Sequence, residues 1–153
     1  MYKYGIIETE ARGKQNRDVV LTWLFEENGT LSIFGAGMLP DYKDGQDRPW
    51  QEYADQVTAL VVDDGITTIG EGAFKYCDAM TAIALPSSVT AIETAAFYSA
   101  MSLAAIDIPE GVLRIGDEAF LHCDTLTRVD LPKGLQELGR GVFSYCDGLE
   151  TTH

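Results

Sequence analysis

The chain has 153 residues, enough for one compact domain or one short stack of repeats. With 46% hydrophobic and 23% charged residues it is typical of a folded protein, which excludes wholesale disorder. The net charge of -13 argues against a nucleic-acid backbone or an anionic membrane as partner, because both attract clustered Lys and Arg. The sequence contains no apolar run of about 18 residues, the length that a membrane-spanning helix needs.

A β-hairpin is the first element that the sequence predicts. Apolar residues alternate along an outgoing and a returning strand, at Val19, Leu21, Trp23 and Phe25, then at Leu31 and Ile33. The Asn28-Gly29 pair between them is a favoured hairpin turn. Residues 1–17 carry no pattern and are left unassigned.

A short helix is predicted to follow the hairpin. Asp47 is a candidate N-cap and Pro49 suits the first helical turn, while Trp50, Tyr53 and Val57 share one helical face. Residues 1–57 therefore read as an N-terminal capping module, in which this helix covers the unit that comes next.

From Thr58 the chain repeats every 23 residues. Four blocks align without a gap over residues 58–149, and residues 150–153 remain as a tail or the start of an incomplete repeat. Such a period is typical of a solenoid, in which each unit buries its apolar face only against its neighbours.

The first half of each block predicts a short strand. Inward-facing apolar residues lie two apart at Leu60 and Val62, Ile83 and Leu85, Ile106 and Ile108, and Val129 and Leu131. A proline ends this strand in three blocks, at Pro86, Pro109 and Pro132. Stacked blocks would place these strands in one parallel ladder.

The second half of each block predicts a short helix. The third block shows the stripe, at Ile115, Ala119, Phe120, Cys123 and Leu126. Gly70, Gly116 and Gly139 stand where an N-cap would lie. Because helices pack about 8 to 10 Å apart and strands about 4.8 Å apart, the strand ladder should be concave and the helices convex. The predicted fold class is an α/β repeat solenoid behind a small hairpin-and-helix cap.

These blocks share the pattern I-x-L-P-x-x-V-x-x-I-G-x-x-A-F-x-x-C-x-x-L and resemble the BspA-like leucine-rich repeats of bacterial surface proteins. Departures are few: Ser99-Ala100 in the second block, Glu93 in place of its Gly, and Val142 in place of Ala. The upstream segment LTWLFEENGTLSIFGAGMLPDY resembles the small module that often precedes such repeats. The resemblance implies a non-catalytic role in adhesion or host-protein attachment at the cell surface.

The three cysteines, Cys77, Cys123 and Cys146, occupy one position of the period. Helices about 8 to 10 Å apart would hold neighbouring thiols beyond the roughly 7 Å Cα limit of a disulfide. A buried cysteine ladder is therefore the interpretation. No C-x-x-C spacing or nearby His pair predicts a metal site.

Catalytic motifs are not found in the sequence. Only His122 and His153 are available as a general base, and neither has a Ser-His-Asp arrangement around it. Asp78, Asp124 and Asp147 follow the cysteines, and Asp107 and Asp130 stack on adjacent strands. These carboxylates could belong to a solvated surface or to a calcium site, and the sequence favours the solvated surface. We expect no enzyme activity, no cofactor and no metal.

The candidate binding surface is the outward side of the strand ladder. Small apolar residues give way to charged ones along it: Ala59, Val61, Ala82, Ala84, Ala105, Asp107, Arg128 and Asp130. An apolar patch on a concave surface is typical of a contact site. The alternative is that residues 1–17 or a second copy of the chain cover it.

The last repeat predicts a second contact surface. No polar cap follows Leu149, so an edge with Val129, Leu131, Leu138 and Phe143 would be only partly covered. Either a further repeat continues the array, or two chains form a two-fold homodimer through this end.

Two functions compete. The first is a protein- or glycan-binding module that attaches a partner through the concave face. The second is an acidic intracellular inhibitor or decoy that occupies a basic groove of its target, favoured by the net charge of -13. The resemblance implies a surface or secreted location, whereas the missing signal peptide implies the cytoplasm if Met1 is native.

Overall fold

The computed structural model describes residues 2–8 and 20–149. Twelve strands form most of its regular structure: β1 (Tyr2–Ile6), β2 (Thr22–Glu26), β3 (Thr30–Phe34), β4 (Gly37–Met38), β5 (Ala59–Val62), β6 (Ile66–Ile69), β7 (Ala82–Ala84), β8 (Ala91–Ile92), β9 (Ala105–Asp107), β10 (Arg114–Ile115), β11 (Arg128–Asp130) and β12 (Glu137–Leu138). Within the described residues no helix is long and apolar enough to span a bilayer.

The predicted parallel strands are present, but they form two sheets and not one ladder, because β7 and β9 are not paired. Strands β3, β5 and β7 are parallel neighbours, and β9 pairs in parallel with β11. The hairpin β2–β3 turns at Asn28-Gly29, and β1 adds an antiparallel edge strand to β2. The unassigned N-terminal residues thus contribute a strand, and the order of this sheet is β1-β2-β3-β5-β7.

A second ladder was not predicted. Each repeat contributes a further short strand after its proline slot, and these four strands together with β4 of the N-terminal module form a sheet of order β12-β10-β8-β6-β4. The apolar residues Ile69, Ile92 and Ile115, which the sequence placed at the start of helices, lie in this ladder and are buried. Every repeat therefore carries two strands.

The predicted convex helices are wrong. Residues 71–76 and their equivalents form successive turns, and the described residues contain no α-helix. A backbone with positive φ recurs at two repeat positions, for example at Gly72 (φ 65°) and Tyr76 (φ 65°), and at Glu118 (φ 58°) and His122 (φ 62°). A right-handed helix cannot continue through such residues, so the apolar stripe belongs to turns.

Hydrogen bonds between repeats replace those of a helix. Three backbone N–H groups of one repeat donate to three backbone carbonyls of the next. In the first repeat, Gly72 donates to Thr94 at 3.0 Å, Phe74 to Ala96 at 2.9 Å and Tyr76 to Tyr98 at 2.8 Å. The same bonds recur from the second repeat to the third and from the third to the fourth. Because the bonds leave the repeat, consecutive turns are drawn together.

The spacing of the repeats on the turn side follows from these bonds. Phe74, Phe97, Phe120 and Phe143 stack face to face with ring centroids 5.4 to 5.8 Å apart. This is close to the roughly 4.8 Å between strands and far below the 8 to 10 Å between helices. The spacing argument for a concave strand ladder therefore no longer applies. The outward side of these strands, from Ala59 to Asp130, is called the ladder face below.

The glycines before the turns have a different role from helix capping. A Cβ on Gly116 would lie 2.5 Å from the backbone nitrogen of Thr94, and one on Gly139 would lie 2.5 Å from that of Asp117. These glycines allow neighbouring backbones to approach closely.

The predicted helix before the repeats is a 3₁₀ segment, Gln51–Gln56, preceded by a shorter one at Lys43–Gly45. Asp47 is not its N-cap, because Asp47 has φ 63° and Trp50 occupies the cap position. Trp50 and Val57 are nevertheless fully buried and Tyr53 is partly buried, so the predicted face does pack inward.

Candidate functional site

The ladder face exposes most of the residues that the sequence placed there. Val61 is 44% exposed and Ala59 is half-buried. The remaining members are exposed: Ala82, Ala84, Ala105, Asp107, Arg128 and Asp130. The inward-facing Leu60, Ile106 and Val129 are buried, so each strand separates a core side from a solvent side.

The apolar part of the ladder face extends into the N-terminal module. Cross-strand neighbours run from Tyr4 to Leu24, Ser32, Val61 and Ala84 in one row over five strands. Tyr4 is 76% exposed, and Leu24 is half-buried. Sequence reasoning missed the first three positions, because residues 1–17 had no pattern and the hairpin was treated only as a cover.

Edge strand β1 does not cover this row. It lies beside β2 in the same sheet, and its side chains Tyr2, Tyr4 and Ile6 are 62%, 76% and 63% exposed. The alternative that the N-terminal residues cover the patch therefore fails for residues 2–8; the rest of residues 1–17 lies outside the described part of the chain.

The far end of the ladder face is charged. Asp107 and Asp130 are direct neighbours in the parallel register, and an Arg128 Nη2 donates to an Asp130 carboxylate oxygen at 3.1 Å. Both side chains of that pair are mostly exposed, so it contributes little to stability. No group of three or more His, Cys, Asp or Glu suited to a metal occurs among the described residues.

The N-terminal module closes the first repeat with hydrogen bonds. The N–H of Tyr42 donates to the carbonyl of Glu71 at 2.6 Å, and the indole Nε1 of Trp50 donates to the carbonyl of Ala73 at 2.8 Å. The guanidinium of Arg48 donates to Ala73 at 3.2 Å and to Lys75 at 2.7 Å. In the later repeats, the carbonyls at these same positions accept hydrogen bonds from N–H groups of the preceding repeat.

A model of the BspA type leucine-rich repeat region, with six copies, matches residues 52–153 of the chain. The chain belongs to this family. The comparison with curated proteins gave no match.

Solved bacterial leucine-rich repeat proteins have a similar fold. A leucine-rich repeat protein from Eubacterium ventriosum is 22% identical with a TM-score of 0.74, over 99% of this chain and 44% of that one. One from T. pallidum is 22% identical with a TM-score of 0.69, over 95% of this chain and 70% of that one. A third, from Bacteroides ovatus, is 26% identical with a TM-score of 0.51, over 86% of this chain and 45% of that one. The chain therefore spans less than half the length of two of these three proteins.

The last BspA-type repeat presents an edge that is partly buried. Leu138 is 47% exposed, Leu131 and Phe143 are half-buried, and Val129 is only 2% exposed. Val129 is a core residue of the single chain and offers little to a neighbour, which corrects its place in the predicted edge. A further repeat or a homodimer at this end stays a prediction.

The cysteines are free and buried in the turn layer. Burial raises the pKa of Cys77 to about 12, so its thiol is protonated at neutral pH. The thiols of Cys123 and Cys146 interact with each other, and this contact together with burial raises the pKa of Cys123. The expected separation of neighbouring thiols was therefore wrong, because turns pack closer than helices, while their place in the core is as predicted.

His122 lies at the surface of the turn side. Its side chain is 45% exposed, and its Nδ1 lies 3.4 Å from an Asp124 carboxylate oxygen. The sequence assigned no catalytic role to it, and its neighbours are aromatic rings.

Proposed function

We propose that this leucine-rich repeat protein binds another protein through the ladder face and has no catalytic role. The observation that carries the proposal is the row from Tyr4 to Ala84 across five neighbouring strands, in which Tyr4, Val61 and Ala84 are exposed apolar residues, Leu24 is half-buried and Ser32 is the buried polar member. Leucine-rich repeat proteins generally mediate protein binding, which supports the same conclusion. Extended exposed apolar patches are typical of contact sites in soluble proteins.

The ladder face has two chemically distinct parts. An apolar part around Tyr4, Leu24 and Val61 suits the apolar side chains of a partner, and the end at Asp107 and Asp130 suits a Lys or Arg at its rim. Such a surface fits a folded protein, in attachment to a host or partner surface as the family resemblance implies.

A pair of double variants tests the proposal. Ala82→Glu with Ala84→Glu adds two charges to the exposed ladder face, whereas Ser87→Glu with Gln136→Glu adds two charges to exposed positions elsewhere. Immobilised wild-type protein and both variants are incubated with extracts of the source organism and its host, and retained proteins are identified by mass spectrometry.

A partner retained by the wild type and by the Ser87/Gln136 variant, but lost with the Ala82/Ala84 variant, is the expected result. Equal retention by all three proteins would remove the ladder face from the binding site. Circular dichroism and urea midpoints of the three proteins are the control for folding.

The second candidate function, an acidic inhibitor that occupies a basic groove, is favoured by the net charge of -13. Salt discriminates between the two functions, because screening weakens the attraction of exposed charges while apolar contacts persist. Retention of the same partner at about 1 M salt, where the Debye length is about 3 Å, argues for the ladder face and against the inhibitor.

A further inference from the structure

A second feature lies on the turn side, away from the ladder face. The rings of Tyr76, Tyr98, His122 and Tyr145 follow one another from repeat to repeat, with centroids 5.7, 6.4 and 4.7 Å apart. Tyr76 is 49% exposed and Tyr145 is 64% exposed. This set of four rings is called the aromatic row.

The aromatic row already holds a cation. The Nζ of Lys75 lies 4.6 Å from the ring centroid of Tyr98 and 5.3 Å from that of Tyr76. A cation over an aromatic face within about 6 Å is attracted by the ring quadrupole. The position of Lys75 therefore shows which chemistry these rings accept.

The backbone beneath the rings is strained. Tyr76, His122 and Tyr145 have φ of 65°, 62° and 62°, a region in which Gly or Asn is far more favourable than a bulky residue. Exposed rings gain little from burial, so core packing does not explain why aromatic residues occupy these positions. Ser99 has the same φ of 65° at the equivalent position of the second repeat, so this backbone belongs to the repeat turn, and the aromatic side chains are a further feature of it.

Carboxylates accompany the aromatic row. Asp124 lies next to His122, and Asp78 and Asp147 hold the same repeat position two residues after Tyr76 and Tyr145. Together with the net charge of -13, they favour a cationic partner over a neutral or anionic one.

We propose that the aromatic row binds an extended Lys- or Arg-rich segment of another protein. Alternate residues of an extended segment lie about 6.6 Å apart on one face, which approaches the 5.7 and 6.4 Å steps from Tyr76 to Tyr98 and from Tyr98 to His122. Consecutive rings from Tyr76 to His122 are close to perpendicular, and His122 stacks on Tyr145. A basic side chain would therefore lie in the corner between two rings, as Lys75 does between Tyr76 and Tyr98. This site is independent of the proposed function of the ladder face.

A fluorescent peptide of alternating Arg and Gly residues tests the proposal by anisotropy at low salt. Tyr98→Ala should weaken binding about threefold or more, whereas Tyr98→Phe retains the ring and should bind as the wild type does. Lys75→Gln removes the cation that lies over the ring of Tyr98, so it should strengthen peptide binding more than Lys133→Gln does. Lys133 is an exposed lysine in the loop of the fourth repeat, so this control makes the same change of charge elsewhere.

Three results would overturn the proposal. Equal binding by Tyr98→Ala and Tyr98→Phe would mean that the ring has no role. Equal gains from Lys75→Gln and Lys133→Gln would mean that net charge alone attracts the peptide. Binding of a neutral oligosaccharide in preference to the peptide would assign the row to a glycan. The variant with Ala82→Glu and Ala84→Glu should bind the peptide no more weakly than the wild type, which separates this site from the ladder face.

Discussion

The two ends of the repeat stack differ in how their backbone groups are satisfied. At the first repeat, donors from Tyr42, Arg48 and Trp50 replace the N–H groups of a preceding repeat. At the last repeat, the N–H groups of Gly141, Phe143 and Tyr145 have no acceptor among the described residues. The module thus closes one end of the turn layer, while the described residues at the other end supply no acceptor for these groups.

This difference shows that closing a stack of turns needs specific donors as well as apolar cover. A buried carbonyl left without a partner costs about 1 to 3 kcal/mol. At the first repeat the carbonyls of Glu71, Ala73 and Lys75 receive their donors from the module. Arg48 can satisfy more than one because its planar guanidinium carries five N–H groups. It is 4% exposed, and burial lowers its pKa from the ordinary value of arginine.

The largest effect is expected from truncating the aromatic residue at each end. Trp50 stacks on Phe74 at 5.5 Å and is fully buried, so Trp50→Ala should lower the free energy of unfolding by about 3 to 5 kcal/mol. Phe143 is half-buried beyond Phe120, and Phe143→Ala should lower it by roughly half as much. Urea denaturation measures both; equal losses would contradict the contrast between the ends.

A smaller effect is expected at Arg48. Removing the guanidinium in Arg48→Ala leaves carbonyls of the first repeat without donors, for a loss of about 2 to 4 kcal/mol. Arg48→Lys keeps the charge but lacks the planar fork, so it should recover only part of that loss. A Lys variant as stable as the wild type would show that charge alone closes this end, and urea midpoints decide the matter.

The smallest effect concerns the space between the module and the first repeat. A Cβ on Gly70 would collide with the carbonyl of Pro40, so Gly70→Ala should destabilise the protein by about 1 to 3 kcal/mol. Gly134, in the last repeat, has nothing within 4 Å of such a Cβ. Gly134→Ala should therefore change the thermal midpoint little, and a comparable drop in both variants would argue against a tight junction at Gly70.

The sequence predicted the repeat, the first strand ladder and most of the core, because each depends on a short apolar period. Residues such as Leu60, Ile106 and Phe120 are buried as expected. The prediction of convex helices was wrong because the apolar stripe from Ile115 to Leu126 is compatible with a helix and with a series of turns. What decides between them is the left-handed backbone at Glu118 and His122, and neither residue type signals it.

The candidate site was predicted in part. Alternation in strands identified Val61, Ala82 and Ala84 as outward-facing, since side chains on a strand alternate between two faces. Tyr4 was missed because the pairing of β1 with β2 is a long-range contact that no local pattern in residues 2–6 announces. The aromatic row was missed because its members, such as Tyr98 and His122, lie in different repeats at slightly different positions.

The hydrogen bonds between turns have a consequence for how the chain assembles. They run from the N–H groups of an earlier repeat to the carbonyls of a later one, so the turn layer has a direction. During synthesis the N-terminal part of a chain leaves the ribosome first. Arg48 and Trp50 therefore emerge before the carbonyls that they satisfy, and the same holds for the N–H groups of Gly72, Phe74 and Tyr76 and their equivalents. For these bonds the donors are already present when their acceptors arrive.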